Sequence, residues 1–463
     1  MKNNTPISII MPCLNSAGYI CEAMDSILAQ TYAAIELIVV DGGSVDGTLE
    51  VLKSRSACDA RIRVLHSEKK SMGAQYNLGL DSVQGEFIGF VESDDFIAPD
   101  MYEVLYESIS GSDLDYVKSN FDMFIDLPDQ RLFYAHGPIA EHQHDYYGTI
   151  LSPEYLCELA RRDIFIWNGL YKRSFISENN MRFQETPGAA FQDAGFVSQV
   201  LMSAKRVLYI KNSLYRYRKG NSEASSSSAK TYRFVMDEFA YVIGKLNPQT
   251  KDLFLPAFLR RYFGSFHNCL RQYLRHYGYT DELAEQVRPF KKLFLEHYNA
   301  LPFPQLSRSD LWPPQDFALF AKDFEEYCMV SLTRYESDCA AHLRAAKYLA
   351  EQESLVICGT GENAASVHCY LTRCGLRNVK AFCSDIKEGS YYGKELLSAD
   401  QAAMRYPNAT FVVTQGAGRQ DKMKRQLLDL GVDPERIIYY GEGLFHHNWY
   451  ELPTIMSGLI GDL

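Results

Sequence analysis

Short apolar runs alternate with amphipathic segments along the first part of the chain. The apolar runs predict β-strands at residues 7–11, 36–41, 61–66 and 86–91. The segments between them predict α-helices at residues 19–30, 46–54 and 73–83. Strands that alternate with crossover helices form a parallel sheet. We therefore expect an α/β domain at the start of the chain.

The pattern continues less regularly to about residue 230. It predicts strands at 114–125, 131–135, 206–210 and 214–218, and helices at 152–175 and 191–203. The polar segment 219–230 contains four consecutive serines, which is typical of a flexible loop, either an idle linker or a lid.

Two further regions follow this first domain. Residues 231–351 are rich in aromatic side chains at helical spacing, whereas a second α/β pattern begins at Ser354 and runs to about residue 440. A chain of 463 residues is too long for one core. We predict three domains, at 1–230, 231–351 and 352–463.

Composition narrows the partners and the compartment. The net charge of −11 argues against nucleic acid as the main partner, because phosphate backbones are bound by basic surfaces. The eleven cysteines are scattered without a CxxC pair, which favours a reducing cytosol and no zinc site. The first residues lack an apolar leader, and no stretch has the length of a transmembrane segment. We expect a cytoplasmic protein, with peripheral contact at the inner face of the plasma membrane left open.

Acidic or backbone-binding groups follow three of the predicted strands. After the first strand, Asn15 or Ser16 can cap the next helix. Asp41 precedes a glycine pair and Asp46 follows it, while Glu92-Ser93-Asp94-Asp95 comes directly after the strand at 86–91. Ligands in open α/β sheets bind beyond the carboxyl ends of the strands. Carboxylates there can hold Mg²⁺ or Mn²⁺, which in turn holds a diphosphate. A solvated acidic turn is the alternative, and it does not explain why all three strand ends carry such groups.

Six motifs in residues 7–220 resemble the glycosyltransferases of family 2, the inverting GT-A group that uses nucleotide-sugar donors. They are 9–15 (IIMPCLN), 40–48 (VDGGSVDGT), 92–99 (ESDDFIAP), 166–175 (IWNGLYKRSF), 191–196 (FQDAGF) and 215–218 (YRYR). The resemblance implies a GT-A type mixed, mostly parallel sheet flanked by helices. A helical spacer and a second, small Rossmann-like α/β domain would follow it.

The resemblance also implies roles for single residues. Asp193 would be the catalytic base, and Asp94 and Asp95 would bind Mn²⁺ or Mg²⁺ at the crevice surface. Asp41 would hydrogen-bond a uracil-type base. The donor-binding residues would be Pro12, Cys13, Asn15, Asp41, Gly43, Asp46, Asn77, Glu92, Ser93, Asp94 and Arg218. Lys172 and Arg216 are further candidates for stabilising diphosphate or acceptor charge.

Three positions depart from the family pattern. Glu92 stands where the family usually has Asp, Tyr76 replaces an arginine before Asn77, and Gln192 replaces the Glu before Asp193. The arginine's contact to the donor phosphate is thereby in doubt.

Two functions remain open at this point. The first is transfer of a sugar from a nucleoside diphosphate sugar, most simply a UDP-sugar, to a saccharide or lipid-linked acceptor in bacterial surface polysaccharide synthesis. The second is a catalytically degenerate scaffold that organises a polysaccharide assembly, and the departures favour it. Retention of Asp94, Asp95 and Asp193 argues against the scaffold.

The C-terminal region has its own glycine turn. Residues 357–365 (ICGTGENAA) place a GxGxxA pattern between a strand and a helix, and Asp385 lies where a ribose-binding acid could sit. The region resembles small Rossmann-like modules appended to bacterial polysaccharide enzymes. Two interpretations stay open: a bound nucleotide, or a packing module through which the protein forms a homo-oligomer.

Overall fold

The computed structural model describes most of the chain in two compact units. The described residues are 6–126, 131–136, 139, 146–160, 163–219, 230–246, 248–301, 314–373, 375–384, 389–414 and 417–439. Unit 1 comprises Met1–Phe124 and Ala135–Met329, and unit 2 comprises Ile125–Tyr134 and Val330–Leu463. The predicted loop at 219–230 lies, apart from its two end residues, outside the described residues.

Ten strands and twelve helices precede the second sheet. The strands are β1 (Ile7–Cys13), β2 (Ile35–Asp41), β3 (Ile62–His66), β4 (Phe87–Phe90), β5 (Phe96–Ile97), β6 (Tyr116–Asp126), β7 (Arg131–His136), β8 (Ile150–Leu151), β9 (Gly169–Lys172) and β10 (Val207–Lys219). The helices are α1 (Ile20–Leu28), α2 (Thr48–Cys58), α3 (Met72–Ser82), α4 (Met101–Ile109), α5 (Pro153–Leu159), α6 (Arg173–Glu178), α7 (Gln192–Ser203), α8 (Thr231–Lys245), α9 (Pro248–Tyr277), α10 (Asp281–Asn299), α11 (Pro314–Lys322) and α12 (Phe324–Ala350). These numbers refer to the described residues only.

These strands form one mixed sheet in the order β3-β2-β1-β4-β9-β6-β10-β5, with β7 paired to β6 and β8 to β10. The first four positions are parallel, and β9 continues the sheet antiparallel to β4 and β6. Strand β1 is buried at all seven positions, as a parallel strand covered on both faces must be. The predicted α/β fold with a mixed sheet is confirmed.

The single helix predicted over residues 152–175 is wrong. Helix α5 ends at Leu159, and Gly169–Lys172 forms strand β9 in the middle of the sheet. A side chain at Gly169 would meet the Val117 carbonyl at 2.8 Å, so only glycine allows β9 to approach β6 here. The two predicted strands at 206–210 and 214–218 are one continuous strand, β10.

The aromatic residues of the helical segment form a core. Phe239 of α8, Phe266 of α9, Phe294 of α10 and Phe320 of α11 are fully buried, and their rings pack against one another or against shared neighbours. Helices α8 and α9 also pack against α7 of the sheet domain. None of the helices in the described ranges combines the length and apolar character that crossing a membrane requires.

Unit 2 contains a second sheet. Its strands are β11 (Leu355–Cys358), β12 (Val379–Cys383), β13 (Gly389–Tyr391), β14 (Lys394–Leu397), β15 (Thr410–Val413) and β16 (Ile437–Tyr439), in the order β13-β14-β12-β11-β15-β16. Its helices are α13 (Glu362–Arg373), α14 (Ala399–Arg405) and α15 (Ala417–Asp429). All neighbouring strands except β13 and β14 pair in parallel. The predicted second α/β sheet is confirmed, whereas the three domain boundaries stay a prediction.

Candidate active site

The carboxyl ends of β1 and β2 form the first wall of the site. Cys13 pairs with Asp41 in the register of the two strands. The Asp41 carboxylate is 1% exposed and accepts hydrogen bonds from the backbone N–H groups of Gly43 (3.0 Å) and Ser44 (3.2 Å). Gly43 has φ +92°, a left-handed conformation that glycine adopts readily. Asp41 therefore shapes the glycine turn, and its predicted contact to a base stays a prediction.

Buried Cys13 lies behind this turn, since its Sγ is 4.0 Å from Asp41 Oδ1. Burial and the nearby charges of Asp41 and Asp46 raise the pKa of the Cys13 thiol. Pro12, beside it in β1, is also buried. At physiological pH, Cys13 is a neutral thiol that lines the turn.

Asn15 and Asp46 join the loop after β1 to the loop after β2. Asn15 has φ +52°, its N–H donates to Ser44 Oγ (2.9 Å), and its Oδ1 accepts from the Val45 N–H (2.9 Å). Asp46 accepts hydrogen bonds from Thr48 Oγ1 (2.6 Å), from the Thr48 N–H (3.0 Å) and from another N–H in the first loop (2.9 Å). The predicted side chains thus lie together, but their polar atoms hold the loops in shape.

An acidic cluster lies at the carboxyl end of β4. Glu92, Asp94 and Asp95 each offer one carboxylate oxygen, and these oxygens lie within 4.8 Å of one another. Ser93, between them, is 2.8 Å from Ser16 (Oγ to Oγ), which connects this cluster to the loop after β1. The strand ends predicted to converge do converge.

Asp95 is the buried member of the acidic cluster. It is 1% exposed and accepts from the Tyr215 hydroxyl (2.8 Å, Oδ2) and the Arg218 N–H (2.7 Å, Oδ1). The prediction that it lies at the crevice surface is therefore wrong: strand β10 covers it, and Glu92 and Asp94 are the partly accessible members.

The carboxylates of the acidic cluster repel one another. Burial and the charges of Asp94 and Asp193 raise the pKa of Glu92 well above its usual range, with Lys219 opposing the shift. Burial and the charges of Asp94 and Glu92 do the same to the pKa of Asp95. A divalent cation would offset this concentrated charge, and oxygen ligands suit Mg²⁺ or Mn²⁺. The residues present fit such an ion.

Arg218 supports the acidic cluster from behind. Its Nε donates to the Asp94 carbonyl (2.6 Å), and a terminal guanidinium nitrogen donates to Glu22 (2.7 Å). The guanidinium lies over the rings of Tyr19 and Phe124, 4.7 and 4.5 Å from their centroids. These contacts fix the turn that carries Asp94, and the predicted contact of Arg218 to the donor stays a prediction.

The side chain of Asn77 binds the segment around Phe183. Its side-chain amide donates to the Phe183 carbonyl (2.9 Å) and to Glu185 (3.1 Å), and accepts from the Phe183 N–H (3.0 Å). Tyr76 beside it is fully buried and stacks on Phe183, with 4.5 Å between ring centroids. Burial, then the charges of Glu92 and Asp193, raise the pKa of Tyr76.

Asp193 is the second residue of α7. Its Oδ1 accepts from the Ala194 N–H (2.8 Å), and burial raises its pKa although that hydrogen bond, Arg261 and Lys118 oppose the shift. The residue before α7, Phe191, has φ +67°, an uncommon conformation for a non-glycine residue. Because Asp193 contributes to the raised pKa of Glu92, its charge acts on the acidic cluster.

Gln192 occupies a closed position. It is fully buried, and its Nε2 donates to Thr186 Oγ1 (2.9 Å) and to the Thr186 carbonyl (3.2 Å). The departure from the family's glutamate therefore exchanges a charge for hydrogen bonds inside the unit, away from solvent.

Sequence reasoning missed the buried charges around Asp193. Lys118 and Asp163 form an ion pair of 2.7 Å with no exposed side-chain surface, and Tyr209 donates to Asp163 (2.6 Å). Glu238 of α8 and Arg261 of α9 are buried as well. No sequence signal pairs these residues, because each partner lies far along the chain from the other.

The glycine turn of unit 2 follows β11 as predicted. Gly359 has φ +133° and its N–H donates to the Cys383 carbonyl (2.8 Å), while the Tyr391 hydroxyl donates to the Thr360 carbonyl (2.7 Å). Asp385, the predicted ribose-binding acid, lies outside the described residues. Bound nucleotide in this unit stays a prediction.

Comparison with known proteins gives a matching family model and several related glycosyltransferases. The family model described as "Glycosyl transferase family 2" matches residues 8–166. Glycosyltransferase GlyG of Streptococcus pneumoniae is 30% identical over 225 residues, which cover 46% of this chain and 70% of GlyG. YibD of Escherichia coli, an uncharacterized glycosyltransferase, is 27% identical over 236 residues, or 49% of this chain and 64% of YibD.

Other matches cover smaller shares or show the fold alone. Glycosyltransferase GlyA of Streptococcus pneumoniae is 32% identical over 216 residues, which are 46% of this chain and only 30% of GlyA. The crystal structure of S. aureus TarS 1-349 in complex with UDP-GlcNAc has a TM-score of 0.51 at 17% identity, over 72% of this chain and 91% of that one. The chain thus spans less than two thirds of YibD and about a third of GlyA. Motifs, fold and relatives agree, and the chain belongs to family 2 of the glycosyltransferases.

Proposed function

We propose that this protein is an inverting, metal-dependent glycosyltransferase. It moves a sugar from a nucleoside diphosphate sugar, most simply a UDP-sugar, to a saccharide or lipid-linked acceptor in bacterial surface polysaccharide synthesis. The observation that carries the proposal is the acidic cluster, whose carboxylate oxygens lie within 4.8 Å of one another at the carboxyl end of β4. The glycine turn formed around Asp41 belongs to the same edge of the sheet.

The donor would lie along this edge. The backbone of the turn at 41–48, shaped by Asp41, would meet the nucleoside, and the acidic cluster would face the diphosphate. TarS, whose fold resembles this one, has been crystallised with UDP and with UDP-GlcNAc, which supports a uridine donor. EpsJ of Bacillus subtilis is an uncharacterized glycosyltransferase and does not indicate which sugar is transferred. Experiment must identify the sugar.

Glu92, Asp94 and Asp95 would hold a divalent ion through their carboxylates. Such an ion, when bound, neutralises the charge that develops on the leaving diphosphate. Tyr215 and Arg218 keep the Asp95 carboxylate oriented, and Arg218 also fixes the Asp94 backbone. The chain's own contribution is therefore a prearranged set of oxygens whose mutual repulsion is relieved on binding.

Asp193 would act as the general base. In a single displacement, the acceptor oxygen bonds to the anomeric carbon while the bond from that carbon to the diphosphate oxygen breaks. The acceptor hydroxyl gives its proton to the Asp193 carboxylate. Burial raises the pKa of Asp193, which makes its carboxylate a stronger base, while the charges of Arg261 and Lys118 oppose the shift.

A panel of nucleotide sugars tests the proposal. The full chain is incubated with UDP-, GDP- and dTDP-sugars, with Mn²⁺ or with a chelator, and release of the nucleoside diphosphate is followed. We expect release from at least one donor, dependent on Mn²⁺ and lost in Asp94→Ala. Asp113→Ala, an exposed acid paired with Arg206, is the matched control and should behave as wild type.

The scaffold alternative makes the opposite prediction. A degenerate protein would release no diphosphate from any donor, with or without added acceptor saccharides. That result, from folded protein, would overturn the proposed activity.

A further inference from the structure

A glycine of α7 is in close contact with a buried acid of α8. An ideal Cβ placed on Gly195 would lie 1.8 Å from Oε2 of Glu238 and 3.0 Å from its Cδ. Glycine inside a helix is unfavourable relative to alanine, so this position is explained by the approach of the Glu238 side chain. Glu238 is fully buried, and Gly195 lies two residues after Asp193.

An arginine of α9 binds the same turn of α7. A terminal nitrogen of Arg261 donates to the Ala194 carbonyl (3.0 Å), and the other donates to Ser198 Oγ and the Ala160 carbonyl (3.4 Å each). Arg261 is 7% exposed, so these contacts replace solvent. The two residues after Asp193 are thus each held by a side chain from the helical segment.

Burial and the neighbouring charges determine the protonation state of Glu238. Burial, then the charges of Asp193 and Asp237, raise the pKa of Glu238 to about 9, and Arg261 opposes the shift. Gln184, with its amide oriented to satisfy its partners, donates to Glu238 Oε1 (2.8 Å). Glu238 is therefore a neutral acid at physiological pH and adds no second negative charge behind Asp193.

We propose that Glu238 and Arg261 are positioning residues, which fix the first turn of α7 and thereby direct the Asp193 carboxylate at the acceptor hydroxyl. The inference rests on the proposed function. It makes helices α8 and α9 part of the catalytic apparatus, although neither positioning side chain touches the substrate.

The test uses the full chain with a donor that the wild type turns over. Gly195→Ala places a methyl group against Glu238 and should lower kcat about 10- to 100-fold, because small displacements of a reacting group are costly. The donor KM and the affinity for UDP with Mn²⁺ should stay within twofold, because the acidic cluster is untouched. Glu238→Ala removes the obstacle, so the double variant Gly195→Ala/Glu238→Ala should be no less active than Glu238→Ala alone.

Glu238→Gln is the conservative control and should keep kcat within threefold of wild type, since it preserves shape and neutrality. If Gly195→Ala fails to fold, the test compares Glu238→Ala with Glu238→Gln. Glu238→Ala should lose at least fivefold in kcat, whereas Glu238→Gln should not. A kcat within twofold of wild type in both Gly195→Ala and Glu238→Ala overturns the positioning role while the proposed function stands. A wild type that releases no diphosphate from any donor overturns the proposed function itself, and the inference falls with it.

Discussion

Glu238→Gln should change how the stability of the protein depends on pH. The raised pKa of Glu238, about 9 against an ordinary 4.5, means that the folded state keeps this proton where the unfolded state has lost it. Between these two values the folded state binds more protons, so the free energy of unfolding falls as pH rises. Glutamine cannot titrate, and the variant lacks this loss.

The size of the effect follows from the shift. Each pH unit inside the window lowers the stability of the wild type relative to Glu238→Gln by about 1.4 kcal/mol. From pH 5 to pH 8 the relative change is about 4 kcal/mol, which corresponds to roughly 8 °C in the melting temperature of a large domain. The contribution of Glu238 is fully present below pH 4.5 and is lost as pH rises through 9.

Thermal unfolding of both proteins, followed by circular dichroism at half-unit steps from pH 5 to pH 8, measures the difference. The melting temperature of Glu238→Gln minus that of wild type should grow steadily with pH. Glu50→Gln, at an exposed position of α2, is the control and should follow the wild-type curve. If the difference in melting temperature between Glu238→Gln and wild type stays constant within about 2 °C, the conclusion that Glu238 is a neutral, buried acid is refuted.

Three further predictions concern the base, the buried ion pair and the helical segment. Asp193→Asn should retain UDP binding while steady-state kcat falls roughly 10²- to 10⁴-fold, the usual contribution of a general base, and an unchanged kcat would exclude Asp193 from that role. Lys118→Met leaves Asp163 buried without its partner and should lower the free energy of unfolding in urea by about 3–5 kcal/mol. The double variant Lys118→Met/Asp163→Leu should recover most of that loss, and equal stability of wild type and Lys118→Met would contradict the prediction. A chain ending at residue 351 should still bind UDP in calorimetric titration. A chain ending at residue 230 should not fold, because it lacks the helices α8 and α9 that cover α7, and a folded 1–230 chain would count against this packing.

The strand ends of the site could be predicted from the sequence because their signals are local. The apolar run of β1 and the acids that follow β4 each occupy a few consecutive positions. Parallel strands carry their carboxyl ends to one edge, so the location of Asp41 and the acidic cluster at the same edge follows from topology alone. The parallel part of the first sheet and the second α/β unit were predictable for the same reason, whereas the mixed character of the first sheet followed only from the family resemblance.

Features that depend on distant partners could not be predicted. Gly169 reads as part of a helix until β6 is placed beside it, and Gly195 gives no hint of Glu238. Asp95 belongs to an exposed-looking acidic turn, yet strand β10 buries it with two hydrogen bonds from residues more than 100 positions away. Such side chains are assigned their environment only by the tertiary fold.

Calorimetric titration of UDP tests the central claim, that the acidic cluster binds a nucleoside diphosphate through a divalent ion. Asp94→Ala is the variant of choice, because Asp94 is partly accessible whereas Asp95 is bonded inside the fold. Wild type and the Asp113→Ala control should bind UDP at least tenfold more tightly with Mn²⁺ than with a chelator, and Asp94→Ala should lose that gain. Equal UDP affinity in all three proteins, with and without Mn²⁺, would contradict the account.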